Sequence, residues 1–374
     1  MAMHPSTRRS PSRYLLMLVS LLTLVGILGG CGASSTAGPS HPGGSTPTST
    51  PTRELKGTIS EFPLPAPNLY PGGITAGPDG NLWFTENVSN GCQSGKIGRI
   101  TPAGKISEFP LPTPQTQPFG FITGPDGNLW FTESACAKGQ SGKIGRITPS
   151  GTISEFSLSS NGNPGDITTG PDHAIWFTES GNNNQNDKIG RITTAGAISE
   201  FPLPAPQTHL YGITTGSDGN LWFIGFTGNN VPKGVIWRIT PAGKISAFPL
   251  SPGYYSFGIT SGPDGNLWYP EADLDGFNNK IGRITPAGKI SEFPVPNRLS
   301  SVNGIIAESD GNLWFTEDEL NHSQNGKIGR ITPMGKISEF PLPNPHTVPG
   351  GITSGPDGKI WFTEMNSNKI GRLS

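Results

Sequence analysis

The sequence predicts an all-β fold: one seven-bladed β-propeller with four-stranded blades, closed by the N-terminal strand completing the last blade. Three observations predict it. Seven tryptophans (Trp83, Trp130, Trp176, Trp222, Trp268, Trp314 and Trp361) recur at spacings of 47, 46, 46, 46, 46 and 47 residues. A period in the mid-forties is the length of one four-stranded blade. The chain also holds 53 glycines and 38 prolines but only 33% hydrophobic residues, which without a period favours disorder and with one favours short strands joined by tight turns. Finally, the fourth-strand motif appears once before the first of these tryptophans, and the chain stops just after the last third-strand motif.

Residues 1–31 read as a lipoprotein-type signal peptide. Arg8, Arg9 and Arg13 form a cationic start, and the apolar run from Tyr14 to Leu28 is short for a membrane span. It ends in Leu28-Gly29-Gly30-Cys31, which makes Cys31 the expected lipid acceptor. Residues 32–53 are Ser, Thr, Pro and Gly with almost no apolar side chain, the composition of a flexible tether. The expected address is therefore the outer side of the cell membrane, reached by export and held by a lipid anchor alone.

Residues 54–374 carry the propeller. In the first repeat, Gly73-Ile74-Thr75 is a short first strand, Pro78-Asp79-Gly80 a tight turn and Leu82-Trp83-Phe84-Thr85 the second strand. Lys96 to Thr101 is the third, and Ile106-Ser107-Glu108-Phe109 the fourth, followed by Pro110 and Pro112 on an outer edge that tolerates proline. The early copy Thr58-Ile59-Ser60-Glu61-Phe62 must then pair with Lys369–Leu373 and clasp the ring.

In an up-and-down blade the short, near-constant turns share one face. The longer loops, which vary from blade to blade, share the other, and this variable face is the candidate for binding. The repeat is its own control. Seven third-strand arginines (Arg99, Arg146, Arg191, Arg238, Arg283, Arg330, Arg372) read as scaffold. So do six glutamates after the second strand (Glu86, Glu133, Glu179, Glu271, Glu317, Glu364), which are expected in ion pairs or turn hydrogen bonds. Blade four has Ile224-Gly225 there, so its mouth is expected to be less acidic. The position before the first-strand Gly-Ile reads Gly72, Phe119, Gly165, Tyr211, Phe257, Asn303 and Gly350 around the ring. Phe119, Tyr211, Phe257 and Asn303 are the candidate ligand-binding residues, the three aromatics forming a lip around the central opening or plugging it.

Cys92 and Cys136 both fall in variable loops of adjacent blades and are the expected disulfide. No further His or Cys completes a metal site at plausible spacing. Of six histidines, His4 and His41 lie in the signal and tether, and His173 replaces a glycine in a short turn. His209, His322 and His346 lie in variable-face connections, where a general base is conceivable. Without the three signal arginines, 23 basic residues face 27 acidic ones, net −4, with no basic stripe, which argues against a nucleic-acid partner.

The unit Gly-Ile-Thr-x-Gly-x-Asp-Gly-x-Leu-Trp-Phe-Thr-Glu, then Asn-Lys-Ile-Gly-Arg-Ile-Thr, then Gly-x-Ile-x-Glu-Phe-x-Leu-Pro, resembles the virginiamycin B lyase (streptogramin B lyase) family. It stands most fully at Gly351-Ile352-Thr353 through Glu364 and at Asn368 to Arg372. The resemblance implies a seven-bladed fold and a magnesium-aided elimination that opens a cyclic depsipeptide across its ester C–O bond. That chemistry needs a base beside a carbonyl and an acid or metal at the oxygens. It implies histidines at the positions held here by Asn303 and Gly350, a glutamate where Val348 stands, and another matched by Glu364. The expected protein is thus a binding module for a small molecule, glycan, peptide or protein, a monomer, with no cofactor. The alternative is a lyase with a rearranged site of His346, Glu317 and Glu364 and a requirement for Mg2+.

Overall fold

The structure is a computed structural model describing residues 57–88, 93–137, 139–159, 162–181, 187–204, 208–228, 233–274, 278–297, 300–319 and 326–374. The expected signal segment 1–31 with Cys31, the expected tether 32–53, and the loop residues Cys92 and His322 lie outside them.

Seven antiparallel sheets form the ring, and the described residues contain no helix. Blade one runs Leu69–Ala76, Leu82–Val88, Lys96–Ile100, Ile106–Pro110. The seventh blade is completed by Ile59–Pro63, which pairs with Lys369–Leu373 from Ile59 opposite Leu373 to Pro63 opposite Lys369. The clasp expected from the motif count closes the ring.

The first strands are longer than Gly-Ile-Thr. In blade one the connection joins the ladder, Leu69 opposite Val88 through Pro71 opposite Glu86, before a bulge resumes at Ile74 opposite Phe84. The bulge leaves main-chain groups that a ladder would have paired, and a second-strand threonine satisfies them. The Thr85 hydroxyl accepts from the Gly73 N–H at 2.9 Å and donates to the Phe119 carbonyl of the next blade at 3.4 Å. Thr132, Thr178, Thr316 and Thr363 repeat the relay, donating to the carbonyls of Gly165, Tyr211, Gly350 and Gly72. Ile224 and Pro270 occupy this position in blades four and five. There the Gly212 N–H reaches the Phe257 carbonyl directly at 2.9 Å, and the first strand of blade five splits into Tyr254–Tyr255 and Thr260–Ser261.

The face of short turns is uniform. Each period-setting tryptophan is fully buried and donates its indole N–H to the turn aspartate, at 2.9–3.2 Å in all seven blades. A fourth-strand phenylalanine stacks on it at 5.3–5.6 Å, and in blade seven this is Phe62 of the clasp on Trp361. Third-strand arginines lie over these tryptophans. Five of them also donate to a turn carbonyl of the next blade at 2.8–3.2 Å. Their role is to lock blade to blade.

Candidate functional site

The six second-strand glutamates do not line the mouth. All are at most 1% exposed, inside the blade opposite a third-strand lysine, as Glu86 is opposite Lys96. The lysine lies closer to a fourth-strand glutamate, at 2.5–2.8 Å, in the pairs Lys96–Glu108, Lys143–Glu155, Lys188–Glu200, Lys280–Glu292, Lys327–Glu339 and Lys369–Glu61. Of the ion pairs or turn hydrogen bonds expected for these glutamates, the Lys327–Glu317 pair at 3.8 Å and the Thr116 hydroxyl donating to Glu133 at 3.0 Å are present, within a layered arrangement of buried carboxyl, lysine and outer carboxylate. Burial first, then the outer carboxylate, pushes Glu86 up to about 8. Glu133, Glu271, Glu317 and Glu364 are pushed up to about 7, with burial again the leading cause.

Blade four replaces the whole layer at once. Gly225 lies opposite Val235, and Trp237 lies opposite Phe223 and Ala247. In blade one these positions hold Glu86, Lys96, Gly98 and Glu108, and a Cβ added to Gly98 would fall 2.8 Å from Glu86 Oε1 and 2.3 Å from Phe84 Cζ. The Trp237 ring stacks on Phe223 at 5.6 Å and is 3% exposed. One tryptophan therefore fills space that other blades give to two carboxylates and a lysine stem. The expectation of a less acidic mouth in blade four is replaced by a less polar interior.

At the mouth, the relay described above fixes the carbonyls of Gly72, Phe119, Gly165, Tyr211 and Gly350, while their side chains differ. Tyr211 and Phe257 meet edge to face at 4.7 Å. Phe226 and Tyr255, which the sequence reading did not single out, join them. Phe226 lies 5.8 Å from Tyr211, and Tyr255 lies 5.1 Å from Phe257 and 6.4 Å from Phe226. His209 packs on Phe226 at 4.6 Å, and burial lowers its pKa. Phe119, in blade two, takes no part in these ring contacts. The aromatic lip is thus a sector of blades four and five rather than a ring.

Asn303 and Gly350 lie elsewhere, on blades six and seven. The Asn303 amide donates to the Pro349 carbonyl at 3.1 Å. A Cβ at Gly350 would come within 2.9 Å of Thr363 Oγ1 and 3.0 Å of Met365 Cγ. His346 is exposed, with φ +61°, matching Asn68 (+61°) and Gln115 (+60°) in the same turn of other blades. Its backbone is a repeated turn, and the structure does not bring it into the buried layers that hold Glu317 and Glu364. Cys136 is exposed and unbridged, and its expected partner Cys92 lies outside the described residues. Among the described residues no three His, Cys, Asp or Glu side chains converge to hold a metal, so Mg2+ finds no such ligand set among them.

A closed ring of seven four-stranded blades, with a constant face and a variable one, defines the class as a seven-bladed β-propeller. The chain belongs to the virginiamycin B lyase family, whose sequence model matches residues 51–138, 90–251 and 226–374. A streptogramin B lyase structure is 36% identical, with 85% of this chain and 97% of that one covered at a TM-score of 0.69. Virginiamycin B lyase from Staphylococcus aureus is 38% identical over 85% of this chain and 99% of its own, at a TM-score of 0.70. A catalytically inactive histidine-to-alanine variant of that enzyme with quinupristin is 36% identical over the same shares, also at 0.70. No curated protein matches the chain.

Proposed function

We propose that the protein is an exported, lipid-tethered propeller of this family that binds a ligand on its variable face without performing the lyase reaction. One observation carries the reading. At the two mouth positions where the resemblance implies histidines stand Asn303, whose amide is engaged by Pro349, and Gly350, which has no side chain. An amide does not take a proton at neutral pH, so neither position supplies the base an elimination needs. His346, the nearest histidine to Gly350 in sequence, sits exposed on a repeated turn. The half-buried rings Tyr211, Phe226 and Phe257 of blades four and five offer a surface on which an apolar or flat group can pack.

The test is incubation of the mature protein with a streptogramin B and Mg2+. Ring opening by elimination conserves mass, so the product is sought by a changed chromatographic retention. Unchanged antibiotic, with saturable binding lost in Phe257→Ala, supports the reading. Turnover abolished by His346→Ala overturns it in favour of a rearranged lyase. The tether is tested separately: Cys31→Ser should move the protein from the membrane fraction to the medium, and an unchanged distribution would refute lipidation.

A further inference from the structure

The clasp fixes where the N-terminal segment leaves the ring. In blade one the turn between the third and fourth strands ends at Gly104, with φ +90°, where a Cβ would fall 2.5 Å from Phe62 of the preceding blade. Gly57 takes the same place in blade seven: its φ is +72°, and a Cβ would fall 3.3 Å from Phe340 of blade six. Beside it Thr58 and Ser374 exchange main-chain hydrogen bonds at 2.9 and 3.3 Å. The clasp strand Ile59–Pro63 then runs away from the short turns toward the variable face. The segment that links the propeller to Cys31, the expected lipid acceptor, therefore leaves from the face of short turns, where blade seven meets blade six.

That face is basic in the sector around the exit. Its third-strand arginines are matched one for one by the turn aspartates, five of them as ion pairs at 2.6–3.9 Å. What remains is set by the residue after the turn glycine. It is lysine in blades four, five, six and one (Lys244, Lys289, Lys336, Lys105), but Thr152 and Ala197 in blades two and three, across the ring from the exit. Lys359, in the other short turn of blade seven, lies between these lysines in ring order. The first four are exposed, and among the described residues no carboxylate pairs with any of the five. The further acid on this face is Glu308, half-buried and bonded to the Ser309 and Ser354 hydroxyls. Beyond the signal the chain is net −4, so composition does not explain this gathering of positive charge. Met334 stands in the same sector, where the other blades have Ala103, Ser150, Ala195, Ala242 and Ala287. It is 92% exposed, the one large apolar side chain so exposed among the described residues.

We propose that the short-turn face around this exit, with Lys105, Lys244, Lys289, Lys336, Lys359 and Met334, lies on the anionic phospholipid surface of the membrane, which turns the variable face outward. This deepens the reading of a lipid-tethered propeller and rests on it. An anionic lipid surface attracts each nearby lysine and takes up an exposed apolar side chain at the headgroup boundary. The lysines surround the point at which an anchored chain would be pulled toward that surface, so anchor and charge act on the same side of the ring. Attraction of this size orients a tethered domain but does not hold an untethered one, in keeping with release of Cys31→Ser.

The test is co-sedimentation of the mature protein carrying Cys31→Ser, which has no lipid of its own, with vesicles at low salt. Vesicles of phosphatidylglycerol and phosphatidylcholine in equal parts should bind it in preference to phosphatidylcholine alone, and added salt should release it. Lys289→Gln combined with Lys336→Gln should keep the melting temperature and lower the partition about 25-fold, at about fivefold per lysine. Lys233→Gln removes an equally exposed lysine at the variable end of blade four and should leave the partition unchanged. The proposal is overturned if the anionic vesicles are not preferred, if the double variant binds like the parent, or if Lys233→Gln loses as much as the double variant. Loss of the anionic preference would leave the anchor standing, whereas an unchanged cell distribution of Cys31→Ser would refute the anchor and leave the vesicle result to judge the face.

Discussion

The buried glutamates make the propeller's stability depend on pH in an unusual direction, and Glu86→Gln isolates the effect. The Glu86 carboxyl moves from 4.5 to about 8 because burial disfavours its charged form, with neither oxygen hydrogen-bonded. Between these values the native state holds a proton that the unfolded chain has released. Stability from this group is therefore fully present below the unfolded pKa and declines as pH rises toward the folded one. From pH 4.5 to about 7 the decline is about 3 kcal/mol at roughly 1.4 kcal/mol per pH unit. Gln resembles the protonated acid in shape and does not titrate, so Lys96 keeps its partner Glu108. Urea midpoints for parent and variant should nearly coincide at about pH 4.5, and the variant should lead by up to about 3 kcal/mol at about pH 7. Parallel curves, or a variant that falls behind as pH rises, would mean that Lys96 stabilises an ionised Glu86 and would refute the reasoning.

Further outcomes follow from the same geometry. Deleting residues 1–65 removes the strand paired with Lys369–Leu373 and the Phe62 stack on Trp361; calorimetry should show a markedly lower melting temperature, and an unchanged one would contradict the clasp. Gly98→Trp alone should prevent folding, since even a Cβ there meets Phe84 at 2.3 Å, whereas combining it with Glu86→Gly, Lys96→Val and Glu108→Ala reproduces blade four and should restore a cooperative melt. Thr178→Val removes the acceptor of Asp166 N–H and the donor to the Tyr211 carbonyl. It should lower stability by about 1–3 kcal/mol in urea denaturation, as should Thr132→Val, which holds the Gly165 carbonyl; unchanged midpoints would refute the relay.

The fold was legible because its defining feature is a period, and a period survives any error in placing single strands. The tryptophan ladder, the arginine series and the early fourth-strand motif each map to one repeated contact in the ring. The layer of buried carboxyls was not legible. Glu86, Lys96, Gly98 and Glu108 lie on three strands, and only register brings them to one place. The blade-four variants Gly225, Val235, Trp237 and Ala247 accordingly read as separate irregularities, although together they are one exchange of a polar filling for an apolar one. Such an exchange is physically reasonable, since a buried charged group contributes little net stability once its desolvation is counted.

The mouth illustrates the converse limit. Taking only the residue before Gly-Ile finds Tyr211 and Phe257 but misses Phe226, on the second strand, and Tyr255, the last residue before the split in blade five. Asp187 closes an asparagine-rich loop and accepts from the Gly181 and Leu210 N–H groups, whereas Asn279 in the same place donates to the Ser300 carbonyl of the next blade, a difference that only the neighbouring strand reveals. The threonine relay explains why the lip varies so freely: it grips carbonyls, which every residue has, and leaves the side chains unconstrained. Where Ile224 and Pro270 interrupt that relay, the first strand of blade five splits and aromatic rings make the contact between blades four and five. The most specialised surface of the variable face therefore lies where the scaffold's own rule is suspended, and not at the two positions where the family resemblance directs attention.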